Sequence, residues 1–344
     1  MKKYAIFLLM FIILVMSGCT DNTEVRDYNV DMSPRLISVT SNMNTVQVVD
    51  AVKSAVVGIS ANLNYGVSVG SGVAIANDGY IITNQHVVGN IKSVKIYLAD
   101  KTSRTAELIW SNPSLDIAVL KADISLPYLQ TAPLTEVQVG DDVIAIGTPL
   151  SLQFKHTVTK GIVSALNRTL EVENDSGTIS YMQDLIQHDA SINAGNSGGP
   201  LINSSGKVIG INALKAADAE GIGFAIPIET ATAVVAKVIP NNAFEQTYLG
   251  ILGCDAEIAY YNDETSEKSG VYIMDIAENS PAFNSGLLPG DVITRINYTN
   301  IKYMLDMKKA VLALNPTDEV DIDYIQSGEF KTLKFQNFFN QEEI

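Results

Sequence analysis

The chain reads Gly195-Asn196-Ser197-Gly198-Gly199-Pro200 between two predicted strands, at 185–188 and 208–212. A serine hydroxyl becomes a useful nucleophile when it lies on a tight turn whose backbone N–H groups can point at the oxygen of a tetrahedral intermediate. This stretch therefore offers Ser197 as a candidate nucleophile. Its candidate oxyanion-hole residues are Gly195, Asn196 and Ser197, of which Gly195 and Ser197 are the natural donors. Taken alone, the stretch fits a glycine-rich strand connection without a catalytic role equally well.

A catalytic serine needs a base, and one of the chain's three histidines, His86, directly follows a predicted strand. The base in turn needs an orienting acid. Asp116 lies in an apolar run at 115–120, where an unpaired charge would be costly, so we expect it to have a buried partner such as an imidazole N–H. The order His86, Asp116, Ser197 is that of chymotrypsin-like proteases. Together the three residues predict a catalytic triad; the alternative is a core histidine and a strand-end cap.

Short apolar runs separated by turns surround these three residues. Apolar or β-branched side chains alternate at 67–69, 73–75 and 81–83, and Asn77-Asp78-Gly79 supplies hairpin turn chemistry. Further short strands are predicted at 94–98, 106–110, 143–146, 158–163, 185–188, 208–212 and 223–226. This pattern indicates an antiparallel barrel or sandwich. A helix predicted at 228–239 and ended by Pro240 closes the domain.

The length of 344 residues, 47% of them hydrophobic, is enough for two domains plus accessory segments. The formal net charge of -15 argues against nucleic-acid binding, because phosphate contacts need a basic face. We expect a signal peptide at 1–18, a polar tether at 19–45, a first folded domain at 46–240 and a second at 245–340.

The first residues are typical of an export signal, with Lys2 and Lys3 before an apolar run at 4–16. The run is short for a permanent membrane span, and an uncleaved anchor is the alternative. The next residues resemble a bacterial lipobox, Met16-Ser17-Gly18-Cys19. This resemblance implies that Cys19 is lipidated, so we expect a cell-envelope protein that is anchored to the membrane and faces outside the cytoplasm. Cys254 is the only other cysteine, so no intramolecular disulfide remains.

Four blocks of the chain resemble the HtrA/Deg family of serine proteases. They are Thr83-Asn84-Gln85-His86-Val87-Val88, Leu115-Asp116-Ile117-Ala118-Val119-Leu120, Gln187-His188-Asp189-Ala190-Ser191-Ile192-Asn193 and the block at 195–200. The resemblance covers about residues 47–340 and implies a mainly β fold, a chymotrypsin-like double β-barrel followed by a C-terminal α/β PDZ domain. It also implies a homotrimer that degrades misfolded or damaged envelope proteins. The family usually has Thr where His188 stands.

The resemblance also places a substrate pocket next to the nucleophile. In this fold the residue six positions before the nucleophile, Ser191, lies near the base of the P1 site, and no carboxylate stands there. Ile192 should narrow the pocket further. The predicted pocket residues are Ser191, Ile192, Asn212, Ala213 and Leu214. We therefore expect cleavage after small aliphatic residues such as Val or Ala.

The C-terminal part resembles protease-associated PDZ domains. Tyr248-Leu249-Gly250-Ile251 resembles their carboxylate-binding loop, and residues 286–293 match their turn and strand. In that binding mode, N–H groups of the loop hold a terminal carboxylate. The extended ligand adds a strand that lies beside Ile251 and beside the helix predicted at about 302–314. We expect C-terminal peptides to bind there and unfolded polypeptides to be the substrates. A generic β-rich appendage is the alternative.

No cofactor and no metal site are expected, because His156 and His188 lie in no recognisable metal-ligand motif. Two classes of function fit the sequence: a serine endopeptidase, which it favours, and a peptide-binding chaperone or stress sensor with a seldom-assembled triad. Polar, glycine-containing segments at 167–182 and 215–221 could switch between ordered and disordered states and gate the oxyanion hole.

Overall fold

The computed structural model of the chain describes residues 31–40, 43–64, 66–147, 157–173, 179–193, 195–215, 221–241, 247–315 and 317–335. Cys19 and His156 lie outside these residues, as do the predicted signal peptide and part of the predicted tether. Within the described ranges, no helix combines the length and the apolar character needed to cross a membrane.

The segment before the first barrel packs onto the protein. Strand β1 (Leu36–Ile37) pairs in parallel with β8 (Tyr128–Leu129), and the Ile37 side chain is buried. Helix α1 (Thr45–Val52) follows it. The polar tether predicted at 19–45 therefore ends in structured chain, because burying its few apolar residues offsets the entropy lost on ordering them.

Six antiparallel strands close into a first barrel. In chain order they are β2 (Val56–Leu63), β3 (Gly66–Ala74), β4 (Tyr80–Thr83), β5 (Ser93–Tyr97), β6 (Ser103–Asn112) and β7 (Ile117–Ala122), with the one-turn helix α2 (Gln85–Val88) after β4. They pair in the order β2-β3-β4-β7-β6-β5. Fully buried side chains such as Ile59, Ile81 and Leu120 fill this barrel.

A second barrel follows, also of six strands. In chain order they are β9 (Asp142–Gly147), β10 (Thr157–Glu173), β11 (Ile179–His188), β12 (Pro200–Asn203), β13 (Val208–Lys215) and β14 (Gly223–Pro227), and they pair in the closed order β10-β11-β14-β13-β12-β9. Helix α3 (Ile228–Asn241) follows the last strand of this barrel. Pro240 lies inside α3, which ends two residues later than predicted. A proline this close to the end disturbs little of the helix.

The C-terminal domain is a sheet with three helices. Its strands are β15 (Ile251–Asp255), β16 (Val271–Ile276), β17 (Val292–Ile296), β18 (Thr299–Asn300), β19 (Val320–Gln326) and β20 (Glu329–Phe335), and its helices are α4 (Ala256–Tyr261), α5 (Pro281–Ser285) and α6 (Met304–Ala313). The sheet order is β15-β16-β17-β19-β20, with β18 beside β17. The predicted fold class, a double β-barrel followed by a smaller α/β domain, is confirmed.

Helices α3 and α6 pack together and join the two domains. Leu312 of α6 is 3% exposed and belongs to the same apolar core as Val234 and Val238 of α3. An ion pair between Lys309 and Glu229 lies at the same junction.

Candidate active site

The local chain path after β4 holds His86 at the edge of the first barrel. Helix α2 begins after Asn84, whose backbone is extended, and buries Val87 and Val88 against the barrel. The two buried valines leave the His86 side chain on the open side, where it is 44% exposed. The Asn84 amide donates to the backbone carbonyl of Asp116 at 2.9 Å, which ties the His86 segment to the Asp116 segment.

Asp116 lies at the start of β7 in a left-handed conformation, with φ at +49°. Its carboxylate accepts the His86 backbone N–H at 3.0 Å through Oδ1. The same carboxylate lies 3.0 Å from Nδ1 of His86 through Oδ1 and 2.9 Å through Oδ2. Because a carboxylate only accepts hydrogen bonds, the Nδ1 atom must carry the proton, and Nε2 of the neutral ring is left as an acceptor.

The pKa of His86 is raised above its ordinary value. Burial of the ring by itself lowers this pKa, but the hydrogen bond to Asp116 and the negative charge of that carboxylate together outweigh the burial. Asp116 therefore stabilises the imidazolium that would form when the His86 ring accepts a proton.

The turn that carries Ser197 is clamped to both barrels. Ser71 of β3 donates its N–H to the Ser197 carbonyl at 2.8 Å and its hydroxyl to the Gly195 carbonyl at 2.6 Å. From the second barrel, the Asn212 carbonyl accepts the Gly198 N–H at 2.8 Å. Gly198 has φ at +80°, and a Cβ there would lie 2.2 Å from the Ser71 carbonyl oxygen, so only glycine fits.

Ser197 and the His86 segment meet at Gly70 of β3. A Cβ built on Gly70 would lie 2.6 Å from the Val87 side chain and 3.0 Å from the Ser197 carbonyl oxygen. The Ser197 hydroxyl donates to the Ala213 carbonyl at 3.4 Å, and no hydrogen bond joins it to the His86 ring. The structure thus brings the three predicted residues to one region between the barrels and pairs two of them directly.

The three predicted oxyanion-hole residues differ in whether their N–H groups are available. The Asn196 N–H donates to the Asn193 carbonyl at 3.0 Å, as expected inside a tight turn. The N–H groups of Gly195 and Ser197 have no hydrogen-bond partner in the part of the chain that the structure describes. Because no described residue accepts from these two N–H groups, they remain the candidate donors to an oxyanion.

The structure describes the side chains of four of the five predicted pocket residues. Ser191 is exposed, whereas Ile192 and Ala213 are buried, at 7% and 3% exposure. For Leu214, the structure describes the backbone in β13. The Ser191 carbonyl accepts from the Thr159 hydroxyl at 2.9 Å and from the Asn196 amide at 3.3 Å.

Asn212, another predicted pocket residue, binds the turn that carries the nucleophile. Its side chain is fully buried and donates to the backbone carbonyls of Gly199 at 3.1 Å and Pro200 at 3.0 Å. A register shift in β13 lies directly after Asn212.

Polar residues missed by the sequence analysis support the same turn. Thr83 donates its hydroxyl to the Ser71 carbonyl at 2.6 Å, and Ser71 in turn binds Gly195 and Ser197. The signal that could have found them is a buried polar residue in an apolar strand, since such a residue needs a partner.

The predicted carboxylate-binding loop lies at the open edge of the C-terminal sheet. Leu249 and Gly250 precede β15, and Gly250 has φ at +78°. β15 pairs with β16 on one side only. The other edge of β15 faces α6, because the Met304 N–H of that helix donates to the Asp255 carboxylate at 2.7 Å.

The described residues contain no group of three or more His, Cys, Asp or Glu side chains arranged to hold a metal ion. Between the barrels, the functional groups are the Ser197 hydroxyl, the His86 imidazole and the Asp116 carboxylate.

Comparison with known proteins places this geometry in context. Residues 70–211 match the trypsin-like peptidase domain family and residues 250–336 match the PDZ domain family. The chain is 33% identical over 347 residues to "Serine protease Do-like HtrB" of Bacillus subtilis (strain 168), covering 91% of this chain and 74% of that protein. It is 36% identical over 272 residues to "Probable periplasmic serine endoprotease DegP-like" of Hahella chejuensis, covering 76% of this chain and 55% of that protein.

A solved structure has the same architecture. "HtrA-type protease AlgW with tripeptide" superposes with a TM-score of 0.68 at 30% sequence identity, covering 88% of this chain and 99% of that one.

Proposed function

Because the chain belongs to the HtrA/Deg family of serine proteases and is a serine endopeptidase, we propose that it cleaves misfolded or damaged proteins of the cell envelope through His86, Asp116 and Ser197. The observation that carries this proposal is the 2.9 Å contact between the Asp116 carboxylate and Nδ1 of His86. It fixes the tautomer that leaves Nε2 ready to accept a proton.

The proposed reaction is acyl transfer. Ser197 Oγ attacks the scissile carbonyl carbon while His86 Nε2 takes the hydroxyl proton and later gives it to the leaving amine. Water then attacks the acyl-enzyme with His86 as base. The N–H groups of Gly195 and Ser197 hold the oxyanion. The Ser197 hydroxyl has to exchange the Ala213 carbonyl for His86 before attack, since hydrogen bonds in a resting protease often tighten only when substrate binds.

We propose cleavage after small aliphatic residues such as Val or Ala. The proposal is supported by Asp189, the carboxylate closest in sequence to the pocket, because that carboxylate accepts the Ile162 N–H of β10 at 2.6 Å. It is therefore engaged away from Ser191 and Ile192, which leaves an uncharged, narrow pocket.

Digestion of an unfolded protein by the purified chain tests this function. We expect peptides whose C-termini are mainly Val and Ala when the products are sequenced by mass spectrometry, and none of these peptides from the Ser197→Ala variant. Products that end mainly in Arg or Lys would contradict the pocket assignment, and equal digestion by both proteins would contradict the nucleophile.

Regulation by peptides at the PDZ domain is the second part of the proposal. The Ala256 N–H faces β16, where it donates to Gly270, and strand geometry alternates, so the Gly253 carbonyl faces the open edge of β15. That carbonyl accepts the side-chain amide of Gln183, from β11 of the second barrel, at 2.5 Å. A peptide that adds a strand to β15 must therefore displace Gln183.

A second contact anchors the same part of β11 to the other wall of the groove. Asp184 is 3% exposed and pairs with Lys308 of α6 at 2.7 Å. Because β11 continues from Asp184 to His188, just before the pocket residues Ser191 and Ile192, a peptide that releases these contacts acts on the strand that leads into the substrate pocket.

Removing the Gln183 side chain is expected to strengthen peptide binding. In Gln183→Ala the peptide no longer competes for the Gly253 carbonyl, so its Kd should fall by roughly 2–10-fold, the value of one net hydrogen bond. Calorimetric titration of a C-terminal peptide measures this. Gln187→Ala is the matched control, because Gln187 is also on β11 but accepts from Arg168 within the barrel. Equal affinities in both variants would contradict the competition.

Location and assembly complete the proposal. The Hahella relative is named as probably periplasmic, and the lipobox resemblance at Cys19 supports a lipid anchor that faces outside the cytoplasm. A homotrimer is proposed from the family resemblance.

A further inference from the structure

His188 is a buried polar side chain that the proposed triad does not use. It ends β11, is fully buried, and neither ring nitrogen forms a hydrogen bond with any residue that the structure describes. Burial lowers the pKa of His188 to about 4, and the nearby Ala190 backbone and the Asp189 charge oppose this only in part. The ring is therefore neutral at physiological pH. The neutral ring fills volume at the end of β11.

The His188 ring and the Ile192 side chain, which is expected to narrow the proposed pocket, both pack against Gly223. A Cβ built on Gly223 of β14 would lie 2.7 Å from Cε1 of His188 and 2.9 Å from a γ-carbon of Ile192. His188, Gly223 and Ile192 therefore converge on one point, with no room for a further methyl group. Gly223 is the residue that allows the ring to lie there.

His188 is on β11 and Gly223 is on β14, and β14 pairs with β13, the strand that passes the nucleophile. In the sheet, His188 pairs with Gly223, and Gly223 pairs with Lys215 of β13. Two residues before Lys215, the Ala213 carbonyl accepts the Ser197 hydroxyl. Since neighbouring strands are about 4.8 Å apart, the backbone of His188 lies roughly two strand spacings from β13.

We propose that His188 is a positioning residue for substrate specificity, which supports Ile192 from behind and closes the floor of the P1 pocket so that side chains larger than Val are excluded. This inference rests on the proposed function, because it concerns the pocket of the same site. It depends on ring volume and on the contact with Ile192, and it assigns no chemistry to the imidazole.

Smaller side chains at position 188 are expected to let Ile192 move back and deepen the pocket. A pocket that gains or loses the space of one methylene changes discrimination by about 10–200-fold. Leu, with nearly the same volume as His and no polar atoms, should keep the floor closed.

Binding of peptides to the full chain carrying Ser197→Ala tests the inference without requiring turnover. The peptides are identical except for Ala, Val, Leu or Met at P1, and Kd is measured by calorimetry in the parent and after adding His188→Ala, His188→Thr or His188→Leu. We expect the parent to prefer Val over Leu by at least about tenfold, and His188→Ala and His188→Thr to reduce that preference by about tenfold. His188→Leu should keep the parent's preference within about twofold.

Each contrary result is informative. An unchanged Val-to-Leu ratio in folded His188→Ala or His188→Thr overturns the inference, and so does loss of the preference in His188→Leu or its absence from the parent. His188→Thr keeps the test available if His188→Ala does not fold, because a β-branched residue suits a strand. The expected Kd pattern in a protein whose Ser197 form has no turnover would support His188 and reject the proposed protease function.

Discussion

The Ser197→Ala variant is expected to lose turnover of a dye-labelled unfolded protein by about a millionfold in kcat, the loss that follows removal of the nucleophile from a serine protease triad. Without Oγ, no acyl-enzyme can form, and the residual rate comes from water acting in a site that still binds substrate. The fold should persist, because the clamps on this turn run through backbone atoms of Gly195, Ser197 and Gly198 and not through the lost hydroxyl.

The matched control for this prediction is Ser205→Ala. Ser205 is an exposed serine in the turn between β12 and β13, and its N–H donates to the Asn203 side chain, so the change removes an equivalent hydroxyl far from His86. Its kcat should equal that of the unmodified chain. Residual activity of Ser197→Ala above about one per cent would mean that another group is the nucleophile.

The Asp116→Asn variant is expected to lower kcat by about four orders of magnitude. The change keeps the size of the side chain, and asparagine tolerates the left-handed backbone of this residue, where φ is +49°. An amide can no longer fix the His86 proton on Nδ1 with two acceptor oxygens, so the ring loses the tautomer in which Nε2 is the acceptor. Steady-state kinetics together with circular dichroism separates this loss from unfolding.

The pH profile of the same pair of proteins gives an independent measurement. His86 must be neutral to accept the Ser197 proton, and its pKa is raised by Asp116, so kcat/KM of the unmodified chain should fall as the pH drops through a value above the ordinary histidine pKa. In Asp116→Asn the negative charge is gone, and the acidic limb should move to lower pH. Asp123→Asn, at an exposed position just after β7, is the control and should leave both the rate and the limb in place. An acidic limb that does not move would reject the pairing of His86 with Asp116.

Many strands and the three candidate triad residues were predictable because their signals are local, whereas the double barrel was implied by the family resemblance. Period-two alternation marked β3 and β4, and buried charge in an apolar run marked Asp116. Strand β2 (Val56–Leu63) was not predicted, since its first four residues are all buried and give no alternation.

Features that depend on distant contacts were not predictable. The Asn212 side chain donates to the Gly199 and Pro200 carbonyls, 13 and 12 positions away in the chain, and no local pattern predicts these contacts. Asn196 was included among the oxyanion-hole residues, and its N–H donates to the Asn193 carbonyl within the turn. The contacts of Gln183 and Asp184 with the PDZ domain join residues 70 and 124 positions apart, beyond the reach of any local pattern.

The burial of Leu312 against α3 has a consequence for how this protein can be divided. Truncation at residue 245 would separate the two domains in the sequence. It would also divide one hydrophobic core, because Val234 and Val238 would lose their packing against Leu312. Each part would then expose an apolar surface. Loss of the burial of Leu312 alone costs about 1.5–3 kcal/mol. A PDZ domain from another protein would replace this one only if it had an apolar side chain at the position of Leu312 to pack against α3.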